Sequence, residues 1–296
     1  MKARIKRFVK AVISLLCHCL YETSWRCHKA RGQENCLNAD PRKEQLIVTL
    51  TTFPGRIHIV DKTLRTILNQ KTVKPDKVEL WLAESQFPGG EADLPQALLD
   101  LRRCGLDICW CSDLRSYKKL VPALKKHPDA ILVTADDDVY YRRNWLQKLY
   151  EEYLHDPSYV YCHRATQFRL RDGSFEAIGG GRTFYEKPSY LNKLVGIGGV
   201  LYAPGILDPR VTDEGLFMEL APTNDDLWVW FMAVANDVPV CVVRGHQSRP
   251  FAVVGAERTE KLTTINDQGE RKFWKQFAAL LEHYPDIEEK LRSHAQ

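Results

Sequence analysis

Between Gln45 and Leu154 the chain alternates short apolar runs, rich in β-branched residues, with longer stretches whose apolar positions recur every three or four residues. That rhythm leaves room for little besides a mostly parallel sheet covered on both faces by helices. Gln45–Thr52, Val78–Ala83, Asp107–Cys111 and Ala130–Ala135 read as strands. Ile59–Asn69, Leu94–Cys104, Tyr117–Lys126 and Asn144–Leu154 read as helices, with Gly105 as a helix-ending residue and the Pro/Gly-rich Phe87–Pro95 as a loop. After Tyr159 the pattern shifts to short strands, Tyr159–Thr166, Ser174–Ile178, Val200–Ala203 and Val238–Arg244, with a helix over Trp228–Asn236. The predicted class is α/β, a Rossmann-like, mostly parallel mixed sheet flanked by helices.

Three consecutive aspartates, Asp136, Asp137 and Asp138, close the fourth strand. Open α/β sheets bind ligands at the carboxyl ends of their strands. If the backbone stays extended, Asp136 and Asp138 share a side and Asp137 is opposed. Two hard oxygen ligands on one side suit Mg²⁺ or Mn²⁺ shared with a ligand's phosphates. The alternative is a charged turn before the helix that starts near Arg142.

Charge and cysteine content set outer limits. The formal charge is +4, and Lys2, Arg4, Lys6, Arg7 and Lys10 place five positive charges and no acid in the first ten residues. A basic tip on a near-neutral body gives no nucleic-acid surface. Ile5, Phe8, Val9, Val12, Ile13, Leu16 and Leu20 fall at helical spacings, which describes an amphipathic helix suited to an anionic membrane surface, or else an ordinary packed helix. Ala11–Leu16 is far shorter than the roughly 20 apolar residues of a membrane span. Residues 28–43 read as a polar linker. Nine cysteines without a C-x-x-C pair fit a reducing compartment. Cys17, His18, Cys19, Cys27, His28 and Cys36 cluster, but at spacings of no common zinc module.

Further chemistry is concentrated near strand ends. In Thr51-Thr52-Phe53-Pro54-Gly55-Arg56 the hydroxyls and Arg56 suit a base, ribose or phosphate, or the segment is a plain strand-to-helix turn. Asp113 and Lys119 follow the third strand and suit ribose or base and a diphosphate, unless Lys118 and Lys119 lie on a solvated helix face. Asn224-Asp225-Asp226 precedes Trp228; one aspartate caps a helix, or one is a base tuned by an aromatic wall, and the two roles are compatible. His246 is a structural hydrogen-bonding residue or an imidazole ligand to the same cation. Gly179–Gly181 and Gly196–Gly199 are candidate mobile loops, and Asp267 with Glu270 has capping-box spacing before a helix over Phe273–Leu281.

Taken in order, the Thr-Thr-Phe-Pro-Gly-Arg turn, the mid-chain Asp136-x-Asp138 and the later Asn224-Asp225-Asp226 resemble a glycosyltransferase of the GT-A fold. The likeness is to the family 2-like bacterial enzymes that build surface polysaccharide or lipooligosaccharide, and it covers about residues 45–250. It implies that Asp136, Asp138 and His246 hold Mn²⁺ or Mg²⁺. It further implies Asp226, with Asp225 beside it, as the general base. Donor-binding candidates are Thr51, Phe53, Arg56, Asp113, Lys119, Asp136 and Asp137. The resemblance has two departures: Ala83-Glu84-Ser85 replaces the usual aspartate-serine, and Asn224-Asp225 replaces glutamate-aspartate. The domain division that follows is a helix and linker at 1–40, a catalytic domain at 41–250 with halves at 41–158 and 159–250, and a helical extension at 251–296. The expected partners are a nucleotide-diphosphate sugar and a glycan or lipid-linked glycan acceptor, with no nucleic acid. The expected location is cytoplasmic, with the inner face of the membrane as the surface the N-terminal helix suits. Rival readings are a nucleotidyltransferase and a non-catalytic glycan- or metal-binding module.

Overall fold

The computed structural model describes residues 2–30, 36–183, 187–245, 251–256 and 272–295. In chain order the elements are α1 (Lys2–Ala30), β1 (Leu46–Thr51), α2 (Val60–Leu68), β2 (Lys77–Ala83), α3 (Gln96–Leu99), β3 (Leu106–Cys111), α4 (Val121–Lys126), β4 (Ile131–Thr134) and β5 (Val139–Tyr140). There follow α5 (Trp145–His155), β6 (Val160–Cys162), β7 (Ala165–Arg171), β8 (Ser174–Thr183), β9 (Asn192–Leu194), β10 (Val200–Tyr202), α6 (Glu214–Leu220) and α7 (Asp225–Ala235). The last elements are β11 (Val240–Val242), β12 (Phe251–Ala252), α8 (Lys272–His283) and α9 (Pro285–Ser293).

Seven strands form the main sheet in the order β11-β6-β10-β4-β1-β2-β3. β4, β1, β2 and β3 run parallel, as do β6 and β11, while β10 is antiparallel to both of its neighbours. Side-chain alternation along β1 explains why both faces are covered. Leu46, Val48 and Leu50 join a core with α2, α5 and Trp25 of α1. Ile47 joins the opposite core with α4, α6, α7, α8 and α9. The α/β class with helices on both faces is therefore the observed one.

Parallel order brings the carboxyl ends of β1, β3 and β4 to one edge. Because β10 is antiparallel, its start lies there too: Val200 pairs with Thr134. The turn that delivers β10, Gly196–Gly199, is a packed corner and not a mobile loop. Gly196 and Gly198 are buried, and the Trp145 indole N–H donates to the Gly198 carbonyl at 2.7 Å. Gly199 has φ +91°, and a Cβ there would lie 2.5 Å from the Trp145 ring. Positive φ and overpacking each cost about 1–3 kcal/mol. Gly199→Ala is expected to destabilise the chain by about 2–4 kcal/mol in urea unfolding; a change below about 0.5 kcal/mol would show that the corner yields freely.

Several sequence expectations give way to packing. Tyr159–Thr166 is two strands, because the chain leaves the main sheet at His163 to enter the three-stranded sheet β8-β7-β9. Gly179–Gly181 lies on β8. The stretch over Tyr117–Lys126 is a 3-10 turn, Arg115–Lys119, followed by α4 with Pro122 in its first turn. The linker expected at 28–43 begins as helix to Ala30. Further on it is irregular but pinned: Cys36 N–H donates to the Cys104 carbonyl, and Arg42 meets Asp76 at 2.8 Å. The expected capping box at Asp267 and Glu270 lies outside the described residues.

Candidate active site

The acidic turn is built by the abrupt end of β4. The strand stops at Thr134 and β5 begins at Val139, so Asp136–Asp138 is a turn and the alternation rule fails there. In the ion pairs of this turn Asp136 and Asp138 consequently face different cations. The Asp136 carboxylate takes the Lys119 ammonium at 3.2 Å, whereas Asp137 and Asp138 share the Arg56 guanidinium at 2.6 and 3.2 Å. Buried Asp137 is held further by the Thr52 hydroxyl, which donates at 2.6 Å, and its carbonyl accepts from the Thr63 hydroxyl at 2.8 Å. The Asp136 N–H donates to the Tyr141 hydroxyl at 2.8 Å. Thr52, Thr63 and Tyr141 are holding residues that the sequence pattern did not single out; only the hydroxyl pair at the β1 end hinted at one of them.

The second acidic segment comes from α7. Asn224, not an aspartate, is the N-cap: its side chain accepts from Leu227 N–H at 3.1 Å. That places Asp225 and Asp226 in the first helical turn, where the helix end favours negative charge. The preceding turn is fixed by Tyr117, whose hydroxyl donates to the Ala221 carbonyl at 2.6 Å, and by Arg115, which donates to the Pro222 carbonyl at 3.0 Å. Helix α7 is apolar all round and buried, so its start cannot wander. Trp228 does not wall the carboxylates as expected. Its ring packs in the core by Phe217 and Tyr284, and its N–H donates to the Val211 carbonyl.

The two acidic segments meet on Lys119. Its ammonium lies 2.8 Å from Asp225, 3.2 Å from Asp136 and 3.9 Å from Asp226. The buried Thr49 hydroxyl anchors the Lys119 carbonyl at 2.8 Å, which aims the side chain along the sheet edge. Neither Lys118 nor Lys119 lies on a solvated face: Lys118 is buried on Asp113 at 2.7 Å. Asp226 also accepts from the Gly196 N–H at 2.8 Å, and a Cβ on Gly196 would lie 2.7 Å from that carboxylate. Only glycine lets the backbone come this close.

The two α7 carboxylates differ in kind. Burial pushes the Asp225 carboxyl upward, but the adjacent Lys119 ammonium outweighs it and the group ends below the ordinary carboxylate range. Asp226 is pushed up, by burial first and by the Asp225 charge, against the pull of Lys119. Asp136 is likewise raised, by burial and by its acidic neighbours. Side-chain exposure separates them the same way. Asp136 (27%) and Asp226 (23%) reach solvent, while Asp225 and Lys119 (12% each) are closed in.

The other candidates lie apart or in support. The Thr51 hydroxyl donates to the Trp81 carbonyl at 2.8 Å, and the Phe53 ring lies under the Arg56 guanidinium at 5.5 Å. Asp113 is held by Lys118, Gln86 and the Arg115 N–H, in a separate group along the same edge. His246 lies outside the described residues.

Among the described residues no group of three His, Cys, Asp or Glu side chains is arranged to hold a metal ion. A Mg²⁺ or Mn²⁺ carried in on a diphosphate needs only one or two carboxylates. Five acidic side chains here meet Lys119 and Arg56, with Lys193 adding positive charge near Asp226, so acids outnumber bases in the cluster. That surplus, with Asp136 and Asp138 partly exposed, fits a substrate-borne cation.

No protein-family model matches the chain, and no curated protein sequence does. Among solved structures it is similar to S. aureus TarS 1–349 in complex with UDP, at 15% identity and a TM-score of 0.47 over 81% of this chain and 72% of that one. The inositol-1-phosphate CTP transferase from T. maritima gives 11% identity and a TM-score of 0.43 over 80% and 95%. The mannosyltransferase PcManGT from Pyrobaculum calidifontis, in complex with GDP-Man and Mn2+, gives 16% identity and a TM-score of 0.41 over 79% and 67%. Likeness at this level carries no chemistry, which rests on the site's own residues.

Proposed function

We propose that the chain is a glycosyltransferase of the GT-A type, with residues 41–250 as its catalytic unit. It transfers a sugar from a nucleotide-diphosphate sugar to a hydroxyl of a glycan or lipid-linked glycan, of the surface-polysaccharide class, at the inner face of a membrane. One observation carries this reading: Asp136 of the mid-chain turn and Asp226 of α7 approach the same ammonium, so a donor group and an acceptor group have one place to meet.

In this reading Asp226 takes the acceptor proton. It is the α7 carboxylate with solvent access and raised proton affinity, and the Gly196 N–H fixes its orientation. Asp225 is bound up with Lys119 and positions it. Arg56 and Lys119 offer fixed positive charge toward a diphosphate, with Phe53 beside Arg56, Thr51 at the end of β1 and Asp113 further along the edge for ribose or base. Asp136 and Asp138 would hold a divalent ion, which when bound supplies charge neutralisation for the departing diphosphate. Attack with a single base and in-line displacement gives inversion at the anomeric carbon.

A panel of nucleotide sugars tests the proposal, with and without Mn²⁺, scored by thermal shift and by the product released. Release of a nucleoside diphosphate is the expected result. Pyrophosphate from a nucleoside triphosphate would instead establish nucleotidyl transfer. Binding without turnover of any donor, across acceptors, would leave a glycan- or metal-binding module.

A further inference from the structure

We propose that the outward face of α1 docks the protein on an anionic lipid bilayer, with Val12, Ile13, Leu16 and Leu20 entering the acyl boundary. The inference rests on the functional reading only for the acceptor's location; the surface itself stands on how α1 is mounted. An amphipathic helix packed in the ordinary way turns its apolar stripe to the body. Here the opposite side is docked. His18 bonds the Tyr140 hydroxyl at 2.8 Å, Tyr21 stacks on the Tyr140 ring at 4.9 Å, Glu22 meets Arg65 at 3.0 Å, and Trp25 is buried.

The apolar stripe therefore looks away from the protein. Leu16 and Leu20 are 59% and 71% exposed, and Val12 and Ile13 are also exposed, at spacings of three and four along one side. Upstream in the sequence, Ile5, Phe8 and Val9 continue that spacing. What covers the stripe is argued from charge. The first ten residues bring five basic side chains and no acid. A second copy docked along α1 would bring a second basic N-terminal segment near the first, whereas an anionic headgroup layer is complementary to that charge. No described helix is long and apolar enough to cross a membrane, so the contact is superficial. Its placement also matters for the site. Tyr140, on which α1 is mounted, follows Asp138 by two residues, and Val253 N–H closes on the Asp138 carbonyl at 2.8 Å. The proposed lipid contact thus bears on the strand that leaves the acidic turn.

The test is co-sedimentation of the full chain with vesicles of phosphatidylcholine alone and of phosphatidylcholine mixed with phosphatidylglycerol. Binding is expected only to the mixed vesicles. Each of Lys6→Ala and Arg7→Ala should weaken it about fivefold. Leu16→Glu with Leu20→Glu should abolish it while leaving thermal unfolding unchanged, since both side chains are exposed. Equal binding to neutral vesicles, or no binding to either, overturns the proposal. So does a lipid-free dimer that the double glutamate variant dissociates, because the stripe is then a seam between copies. Nucleoside diphosphate release on sugar transfer to a soluble acceptor is read separately from these outcomes, so failure here and failure of the transferase reading are separable.

Discussion

Replacing Lys119 with methionine is expected to destabilise the chain by about 3–5 kcal/mol near neutral pH, the usual cost of stripping one partner from a buried ion pair. Three carboxylates depend on that ammonium, and two of them, Asp136 and Asp226, already hold their protons above the ordinary value of 3.8. Without it all three shift toward the neutral form, Asp225 from its lowered position and the other two beyond their raised ones. An acid whose folded pKa is raised favours folding where it is protonated, and that contribution is lost as pH rises through the folded value. The variant's urea midpoint should therefore climb as pH falls from neutrality toward the ordinary carboxylate value of 3.8, more steeply than the wild type's. Wild-type Asp225, held below 3.8, contributes in the other direction: its share is present above 3.8 and lost only in stronger acid. A variant as stable as wild type at pH 8, with a parallel pH profile, would mean that Lys119 does not neutralise this cluster.

Asp226→Asn is expected to reduce sugar transfer by roughly 10²-fold or more, with donor binding retained. The amide keeps an oxygen for the Gly196 N–H but cannot accept the acceptor's proton. Asp225→Asn should look different. It removes the closest partner of Lys119, so its main signature is lost stability and a displaced ammonium. Measuring kcat, donor affinity and unfolding for both variants separates the two carboxylates. Transfer by the Asp226 variant within about tenfold of wild type would remove it from the base role.

How legible was this in the chain? The first four strands were found within a residue or two of their ends, because each is a short apolar run between turn residues, and buried parallel strands look like that. Elements whose form is set by partners were not legible. β5 and β12 are two residues each and exist only as a pair, and β9 exists to carry β7. α9 begins at Pro285 under a polar surface pattern, and α6 is seven residues long. In the site, the gathering of Asp136, Lys119, Asp225 and Asp226 follows from strand order and was legible only as a placement near strand ends. The partition of the aspartates between Lys119 and Arg56 was not, because the period-two rule holds only while the backbone is extended. The aromatic wall failed similarly. Two residues along a helix are nearly opposite in direction, which sends Trp228 into the core while Asp226 faces the sheet edge.

A single ammonium tethered to carboxylates from two different segments ties their occupancies together. A diphosphate that draws Lys119 toward Asp136 takes positive charge from Asp226, whose appetite for a proton then increases. On the proposed transferase reading, electrostatics would then set the order of events: the nucleotide sugar would arrive first, and the incoming hydroxyl would meet a stronger base than the empty site offers. Steady-state kinetics should accordingly display compulsory order, with the nucleoside diphosphate leaving last.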